Sequence, residues 1–450
     1  MDIIRGLIGM TFVIALAFAF SADRKSVNWR LVGTGLGLQF VLALFILRGS
    51  SMAEYFAPLG WPKEFFSFVS SFFVIVLEFT TEGATFIFGD LAKGPGMDGS
   101  LGFFFAFQVL PTIIFFASIT TLMYHYGILQ AIVRFMASGM QKLMGTSGAE
   151  SLSVVANIFV GQTEAPLVVK PYVERMTTSE LMAVMTGGMA TIAGGVMAAY
   201  IQILGDSYAL ANDLTIEAGR QLFAEQLLGA SLMAAPAALV IARILYPETQ
   251  KPETMGEVRV EVEKKDANGI DAASSGAAEG LKLALNVGAM LLAFIALLAL
   301  INSMLKFTGA LPNSLGEMVG LDIPVLEVTI QTILGYLFMP VAFIIGIPWQ
   351  DALAVGSMIG TKLVLTEFIA FVDLSNLVLE GQLQQKTIFM ATFALCGFAN
   401  FASIAIQIGG IGGIAPSRKA DLAKLGLKAV MAGTLANLMT ATWAGILFFG

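Results

Sequence analysis

Cysteine and histidine are nearly missing from this 450-residue sequence, which holds one of each, Cys396 and His125. A single cysteine closes no internal disulfide and builds no cysteine-rich metal site. One histidine beside it leaves too few nitrogen and sulfur ligands for zinc. Charge is scarce as well, at 13% of residues, where a soluble protein carries roughly a quarter. The net charge of −7 comes without a basic stripe, which excludes nucleic acid as a partner. Hydrocarbon is what the chain has in abundance: 57% of residues are hydrophobic and the mean hydropathy is +0.81. Many windows run past about 18 residues without a charge, enough for a helix to cross a bilayer. They are continuous rather than alternating, so helices are expected and not a β-barrel. The fold class is an all-α polytopic membrane protein. Its 47 glycines and 23 methionines suit a bundle whose helices approach closely.

Met1 to Ala22 has an early arginine, an apolar centre and a small-residue ending, like a secretory signal. A second apolar span follows within a few residues, so a transmembrane hairpin is expected instead. Apolar spans lie near 3–21, 31–48, 102–123, 179–203, 226–246, 281–305, 325–346, 385–408 and 425–449. Between them, 53–90, 127–145, 148–176 and 350–383 are too short or too polar to cross simply. The charged stretch 247–280, with its Ala/Ser/Gly tail, is expected as a solvated linker between two halves. Basic loops hold Arg24, Lys25 and Arg30, then Arg134 and Lys142, then Arg418, Lys419, Lys424 and Lys428. The intervening loops hold Asp90 and Asp98, then Asp206, Asp213 and Glu217. Placing the basic loops in the cytoplasm puts both termini outside. That parity requires 148–176 and 350–383 each to enter and leave on one side, as re-entrant hairpins. It also makes 281–305 a long peripheral helix rather than a crossing.

Two stretches match across the linker. The first is "GQTEAPLVV" at 161–169, followed by a small-residue break from Thr186 to Gly195. The second is "GTKLVLTEFIAF" at 360–371, followed by a break from Gly397 to Ser403. Secondary transporters built as inverted repeats form their solute sites where helices break near the midplane. The freed backbone groups must then line protein or a watery cavity. Glu164 and Glu367 add a carboxylate to each half, and a carboxylate at membrane depth is a functional candidate by default. A tight packing face accounts for either break taken alone. Pairing with Lys170 or Lys362 accounts for either glutamate taken alone. The matched pair favours a transport site.

These residues carry a resemblance. "GQTEAPL", "GTKLVLTEF", "GFANFASI" and the long C-terminal run beginning "GGIGGIAPSRKADLAKLGLKAV" closely resemble the concentrative nucleoside transporters, from about residue 100 to the end. Gly360, Lys362, Glu367 and Phe368 match the family's characteristic run, and Thr366 stands where the family has Asn. The resemblance implies a homotrimer in the lipid bilayer of a bacterial inner membrane. Each subunit would have a scaffold and a transport domain that moves as an elevator. It implies uptake of a nucleoside of the uridine, cytidine or adenosine class, coupled to sodium in many members and to protons in others. No enzymatic step is implied. It also implies this division: 1–50 as an N-terminal transmembrane hairpin, 51–126 as an interfacial helix and scaffold helix, and 127–246 as the first repeat. Residues 247–280 form the cytoplasmic linker, 281–349 scaffold helices and 350–450 the second repeat.

Residue by residue, Gln162, Thr163 and Glu164 match the hairpin tip that meets the nucleobase. Val196 matches an apolar contact to the base. Glu367, Asn400 and Ser403 match the ribose-binding group, with Phe398 beside it. Asn157, Val160, Thr191 and Ile192 match the sodium site, the two aliphatic residues through backbone carbonyls.

The chemistry agrees. A glutamine offers an acceptor and two donors to a base edge, and a carboxylate accepts from both hydroxyls of a ribose diol. Asn157 favours sodium over protons. The rivals from other classes are a membrane enzyme using Glu164 and Glu367 as an acid/base pair, and a channel. No nucleophile–base pair accompanies the carboxylates, and no filter motif is present.

Overall fold

The computed structural model describes residues 2–95, 97–256, 266–318 and 328–448, with backbone alone for residues 2 and 307–318. The middle of the expected linker, 257–265, therefore lies outside the described residues. Helices α1 (Asp2–Ala19), α2 (Trp29–Ala53), α3 (Trp61–Phe88), α4 (Phe105–Gln108), α5 (Leu110–His125) and α6 (Ile128–Met144) open the chain. The first half continues with α7 (Gly148–Ala156), α8 (Lys170–Val173), α9 (Thr178–Ala190), α10 (Gly194–Ala211) and α11 (Ile216–Leu245). The long α12 (Gly269–Met318) and α13 (Ile330–Ile345) lead into the second half. There follow α14 (Trp349–Val364), α15 (Glu367–Leu379), α16 (Gln385–Leu395), α17 (Phe401–Ile414) and α18 (Lys419–Leu447). Among the described residues, seven helices are long and apolar enough to cross a membrane, or eight if the bent pair α13–α14 counts as one.

Each half has the same plan, a hairpin followed by a helix in two pieces. The base of the first hairpin is stitched by side chains. Ser147 caps α7 and Thr177 caps α9, each in a capping box whose third residue is a glutamate. That pattern satisfies two orphan amides reciprocally. The Ser147 hydroxyl then donates to Glu180 Oε1 at 2.6 Å, which ties the two ends together. Arg243 Nη2 donates to Glu150 Oε1 at 2.5 Å, so the buried carboxylate there is paired. Arg418 lies at this same end, donating to the carbonyls of Glu174 and Met176.

The base of the second hairpin is stitched by Asp351. Its Oδ2 accepts from the Thr387 hydroxyl at 2.5 Å and from the Gln384 amide at 3.2 Å. Tyr208 and Asn212 reach Gln385 there, and both sit at the far end of α10 from the first base. The two hairpins therefore open on opposite ends of the molecule. This is the inverted repeat expected from the sequence.

Four expectations change in detail. The first break spans Thr191–Ala193, narrower than Thr186–Gly195, because Thr186 bonds the Met182 carbonyl inside an unbroken helix. The second spans Cys396–Asn400, and Ser403 sits in the first turn of α17, its amide capped by Asn400 Oδ1 at 2.8 Å.

The expected peripheral helix at 281–305 is part of α12, whose 50 residues make it roughly 75 Å long at 1.5 Å per residue. It runs antiparallel to α5, with Gly269 against Tyr126, Gly276 against Ala117 and Thr121, and Gly280 against Ile114. A Cβ at Gly280 would lie 2.8 Å from the Ile114 Cα, so glycine lets the backbones meet. By length and composition this helix is apolar enough to cross, and its packing on α5 is a feature that loop charge does not report.

Segment 53–90 is mainly the 28-residue α3, apolar enough to cross by length and composition. Its Lys63 pairs with Glu225 of α11. The Ala/Ser/Gly tail of the linker is helical from Gly269 onward. The head of the linker is docked rather than free. Thr254 accepts from Gly148 N through its carbonyl at 2.9 Å and from Ala149 N through its hydroxyl at 3.0 Å. Glu248 accepts from Thr177 Oγ1 and Arg243 Nη1. Burial pushes the Glu248 carboxyl up, but the Thr177, Gln250 and Arg243 donors outweigh it and hold it below its ordinary value.

Candidate functional site

The hairpin tips and the two breaks converge in the interior. After α7 ends at Ala156, the chain turns through Asn157–Val160 to the tip at Gln162–Glu164 and resumes at Pro166. Proline suits the first turn of a helix because its missing amide hydrogen is not needed there. Gln162 is buried and reaches the second half. Its Nε2 donates to Ser403 Oγ at 3.1 Å, and its Oε1 accepts from Gln407 Nε2 at 3.0 Å. Gln407 also donates to the Met185 carbonyl at 3.0 Å, which ties α17 to α9. Gly188 makes room for this crossing, since a Cβ would lie 2.8 Å from Gln407 Nε2 and 2.9 Å from Gln162 Cβ.

Glu367 opens α15 and is 5% exposed. Asn400 Nδ2 donates to its Oε2 at 2.8 Å, and the Tyr200 hydroxyl donates to its Oε1 at 3.0 Å. Tyr200 is held by stacking on Phe371, with centroids 4.2 Å apart, and by edge contact with Phe368 at 5.0 Å. A carboxylate given fixed, neutral donors keeps its charge in place without being spent on an ion pair. Thr366, where the resemblance leads one to expect Asn, caps α15 by accepting from the Ile369 amide through its hydroxyl. Asn and Thr both perform that task, which accounts for the exchange at this position.

The sequence candidates divide into three groups. Gln162, Ser403, Glu367 and Asn400 come together as one buried polar surface. Val196 and Ile192 are buried, and Phe398 is half-buried. Glu164 stands apart: it is exposed and accepts from its neighbour Thr163 at 2.8 Å. Among the described residues neither glutamate pairs with a lysine, so the bland pairing with Lys170 or Lys362 is set aside. Lys362 turns instead to the Ala394 carbonyl and Asn437 Oδ1.

The third group is the ion candidates. Asn157 is buried, and its Nδ2 is used on the Ser153 carbonyl while its Oδ1 has no partner among the described residues. Thr191 is buried and donates to the Gly187 carbonyl at 2.8 Å, which leaves its oxygen able to accept. Val160 and Ile192 lie in non-helical turns. The Gly194 amide donates to the Phe159 carbonyl at 3.1 Å, joining the hairpin turn to the first break. An all-oxygen donor set with one orphaned amide oxygen fits a hard cation.

Sequence reading missed Tyr200 and Gln407, which place the groups it found. Each sits on a helix whose sequence is mainly apolar, Gln407 one turn beyond Ser403. That signal becomes useful only once the facing residues are known.

Comparison with known proteins gives the family and the fold. The chain matches "Na+ dependent nucleoside transporter N-terminus" over residues 8–91 and "Na+ dependent nucleoside transporter C-terminus" over 226–445. Residues 106–207 match "Nucleoside recognition". An uncharacterized transporter, YutK, of Bacillus subtilis is 42% identical over 447 residues, covering 99% of this chain and 100% of that one. The nucleoside permease NupC of Helicobacter pylori is 39% identical over 448 residues, covering 99% and 97%. The structure of CNTnw in an inward-facing, substrate-bound state superposes with a TM-score of 0.82 at 40% identity, covering 99% of this chain and 98% of that one.

Proposed function

This chain belongs to the Na+ dependent nucleoside transporters, the concentrative family that its motifs resemble, and we propose that it is a sodium-driven nucleoside importer of a bacterial inner membrane. Members of the family are transporters and permeases, which removes the reading of Glu164 and Glu367 as an enzyme's acid/base pair. The observation that carries the proposal is the cross-half cluster, in which Gln162 of one hairpin meets Ser403 while Glu367 of the other is aligned by Asn400 and Tyr200.

In this reading a nucleoside of the uridine, cytidine or adenosine class lies between the hairpin tips. Gln162, Thr163 and Glu164 take the base edge, and Val196 packs on its face. Glu367, Asn400 and Ser403 take the ribose hydroxyls, with Phe398 alongside. Each hydroxyl that leaves water needs a partner of equal quality, and the fixed amides and carboxylate supply it. Asn157, Thr191 and the carbonyls of Val160 and Ile192 hold sodium, whose charge neutralises the carbonyl ends of the break. Sodium orders the first break, and the nucleoside then finds the site assembled.

Residues 127–246 and 350–450 are read as the two repeats of a moving transport domain. Residues 1–126 and 281–349 supply the scaffold, with the 247–280 linker in the cytoplasm and both termini periplasmic. Three copies assemble as a homotrimer, and transport follows an elevator form of alternating access.

Uptake of labelled uridine and adenosine into proteoliposomes tests this. Accumulation driven by a sodium gradient at constant pH supports it. Accumulation driven only by a pH gradient replaces sodium by protons, a reading that the free oxygen of Asn157 disfavours.

A further inference from the structure

Two buried polar side chains have no part in the uptake reading, yet one bonds the helix ends at both breaks and the other bonds it and the end of α16. Lys362 lies on α14 and is 2% exposed. Its Nζ donates to the Ala394 carbonyl at 3.0 Å and to Asn437 Oδ1 at 2.7 Å. Asn437 lies in the C-terminal half of α18 and is 1% exposed. Its Nδ2 donates to the Ala190 carbonyl at 2.6 Å and to the Cys396 carbonyl at 2.7 Å. Ala190 is the last residue of α9, and Ala394 and Cys396 lie at the end of α16. The carbonyl ends of both half-helices thus meet at one amide and one ammonium. The Phe398 amide closes the ring by donating to the Thr191 carbonyl at 3.3 Å. Gly397 sits at the crossing, where a Cβ would fall 2.5 Å from Asn437 Oδ1 and 2.7 Å from the Ala190 carbonyl oxygen.

Each helix end presents unpaired carbonyls and about half a negative charge. Two such ends brought together in a low-dielectric interior repel each other unless a cation and donors lie between them. A buried ammonium, in turn, needs acceptors on its protons. Lys362 and the end of α16 meet each other's requirement, and Asn437 brings in the end of α9. The halves are then alike in one more respect. In the first, the proposed sodium lies between a hairpin turn and a break; in the second, the hairpin sends its own ammonium to the break.

We infer that Lys362 is a tethered cation, the second half's counterpart of the coupling ion, and that Asn437 joins the two breaks so that ordering one orders the other. Both are positioning residues: they carry sodium occupancy at Thr191 to the ribose group at Asn400 and Ser403 without touching the solute. This rests on the uptake reading above. Failure of that reading is visible separately, as wild-type protein that takes up no nucleoside under any gradient.

The first test measures uridine KM at limiting and at saturating sodium, with choline holding ionic strength, for wild type, Lys362→Met, Asn437→Ser and the exposed control Lys170→Met. Wild type and the control should show KM falling on the order of tenfold as sodium saturates, a typical coupling between sites. In Lys362→Met and Asn437→Ser the ratio should collapse to within about twofold, a loss the size expected for residues along a coupling network. A merely structural role lowers the amount of folded carrier and Vmax but leaves the ratio alone. A wild-type ratio in both variants overturns the inference.

The second test needs no variant. Sodium added without nucleoside should slow hydrogen exchange at the amides of Gly397–Asn400 as well as at Thr191–Ala193. Protection confined to the first break overturns the inference even if both variants fail to fold.

Discussion

Tyr200→Phe removes one oxygen and leaves the ring. The stacking on Phe371 and the edge contact with Phe368 are kept, so the packing of α10 against α15 is retained. What is lost is the 3.0 Å donation to Glu367 Oε1, leaving Asn400 as the partner of Oε2. A hydrogen bond to a charged group contributes about 1.5–3 kcal/mol. Each 1.4 kcal/mol is about tenfold in affinity. Asn400 keeps half of the alignment, so the lower end applies and uridine KM should rise roughly tenfold at saturating sodium. The loss should depend on the hydroxyl that Glu367 serves. Competition assays with uridine and 3′-deoxyuridine in proteoliposomes separate the cases. The analogue already lacks one of the two hydroxyls that Glu367 accepts from, so it should lose less than uridine does. An unchanged uridine KM, or an equal loss for both compounds, would refute the assignment of Glu367 to the ribose and of Tyr200 as its aligner.

Asn157→Ala deletes the unpartnered buried oxygen, so half-saturation by sodium should rise at least about tenfold, as for loss of one good charged contact. Uridine uptake at very high sodium should be partly restored, and unchanged sodium activation would move the ion site elsewhere. Gly397→Ala forces a Cβ onto Asn437 and the Ala190 carbonyl, an overpacking cost of about 1–3 kcal/mol; uptake should vanish and thermal melting should fall. Glu248→Gln tests the docked linker head. The Glu248 carboxyl is held below its ordinary value of 4.5, so its contribution is full above that pH and is lost as pH falls through the lowered value. The variant should melt roughly 1–2 °C below wild type at neutral pH, with the difference closing under acid; a constant difference would contradict the assignment.

Much of the architecture was legible because bilayers impose few solutions. Continuous apolar runs announced the spans, and the paired "TE" and glycine-rich stretches announced hairpins and breaks. The breaks were read too wide because small residues also mark close packing: Gly187 and Gly188 are small to admit Val154, Gln162 and Gln407, not to interrupt α9. The peripheral reading of 281–305 came from charge parity alone. Loop charge counts crossings but does not see the glycine seam that sets α12 against α5.

At the site, Gln162, Glu367, Asn400 and Ser403 were recognisable by residue type and neighbourhood. Tyr200, Gln407 and Asn437 were not. Such a side chain carries meaning only through what lies opposite, and each of them has a partner more than 150 residues away in the chain. The charged linker read correctly as polar, yet its head is ordered by Thr254 and Glu248 bonds that local composition does not encode.

The central claim is that the two halves form one sodium-dependent nucleoside site with Glu367 at its centre. Labelled uridine uptake into proteoliposomes holding wild type or Glu367→Gln, under a sodium gradient at constant pH, tests it most directly. Accumulation by wild type, and none by a variant that is folded and assembled as wild type, is the predicted result. Uptake by Glu367→Gln at the wild-type rate, or wild-type uptake indifferent to sodium, would contradict it.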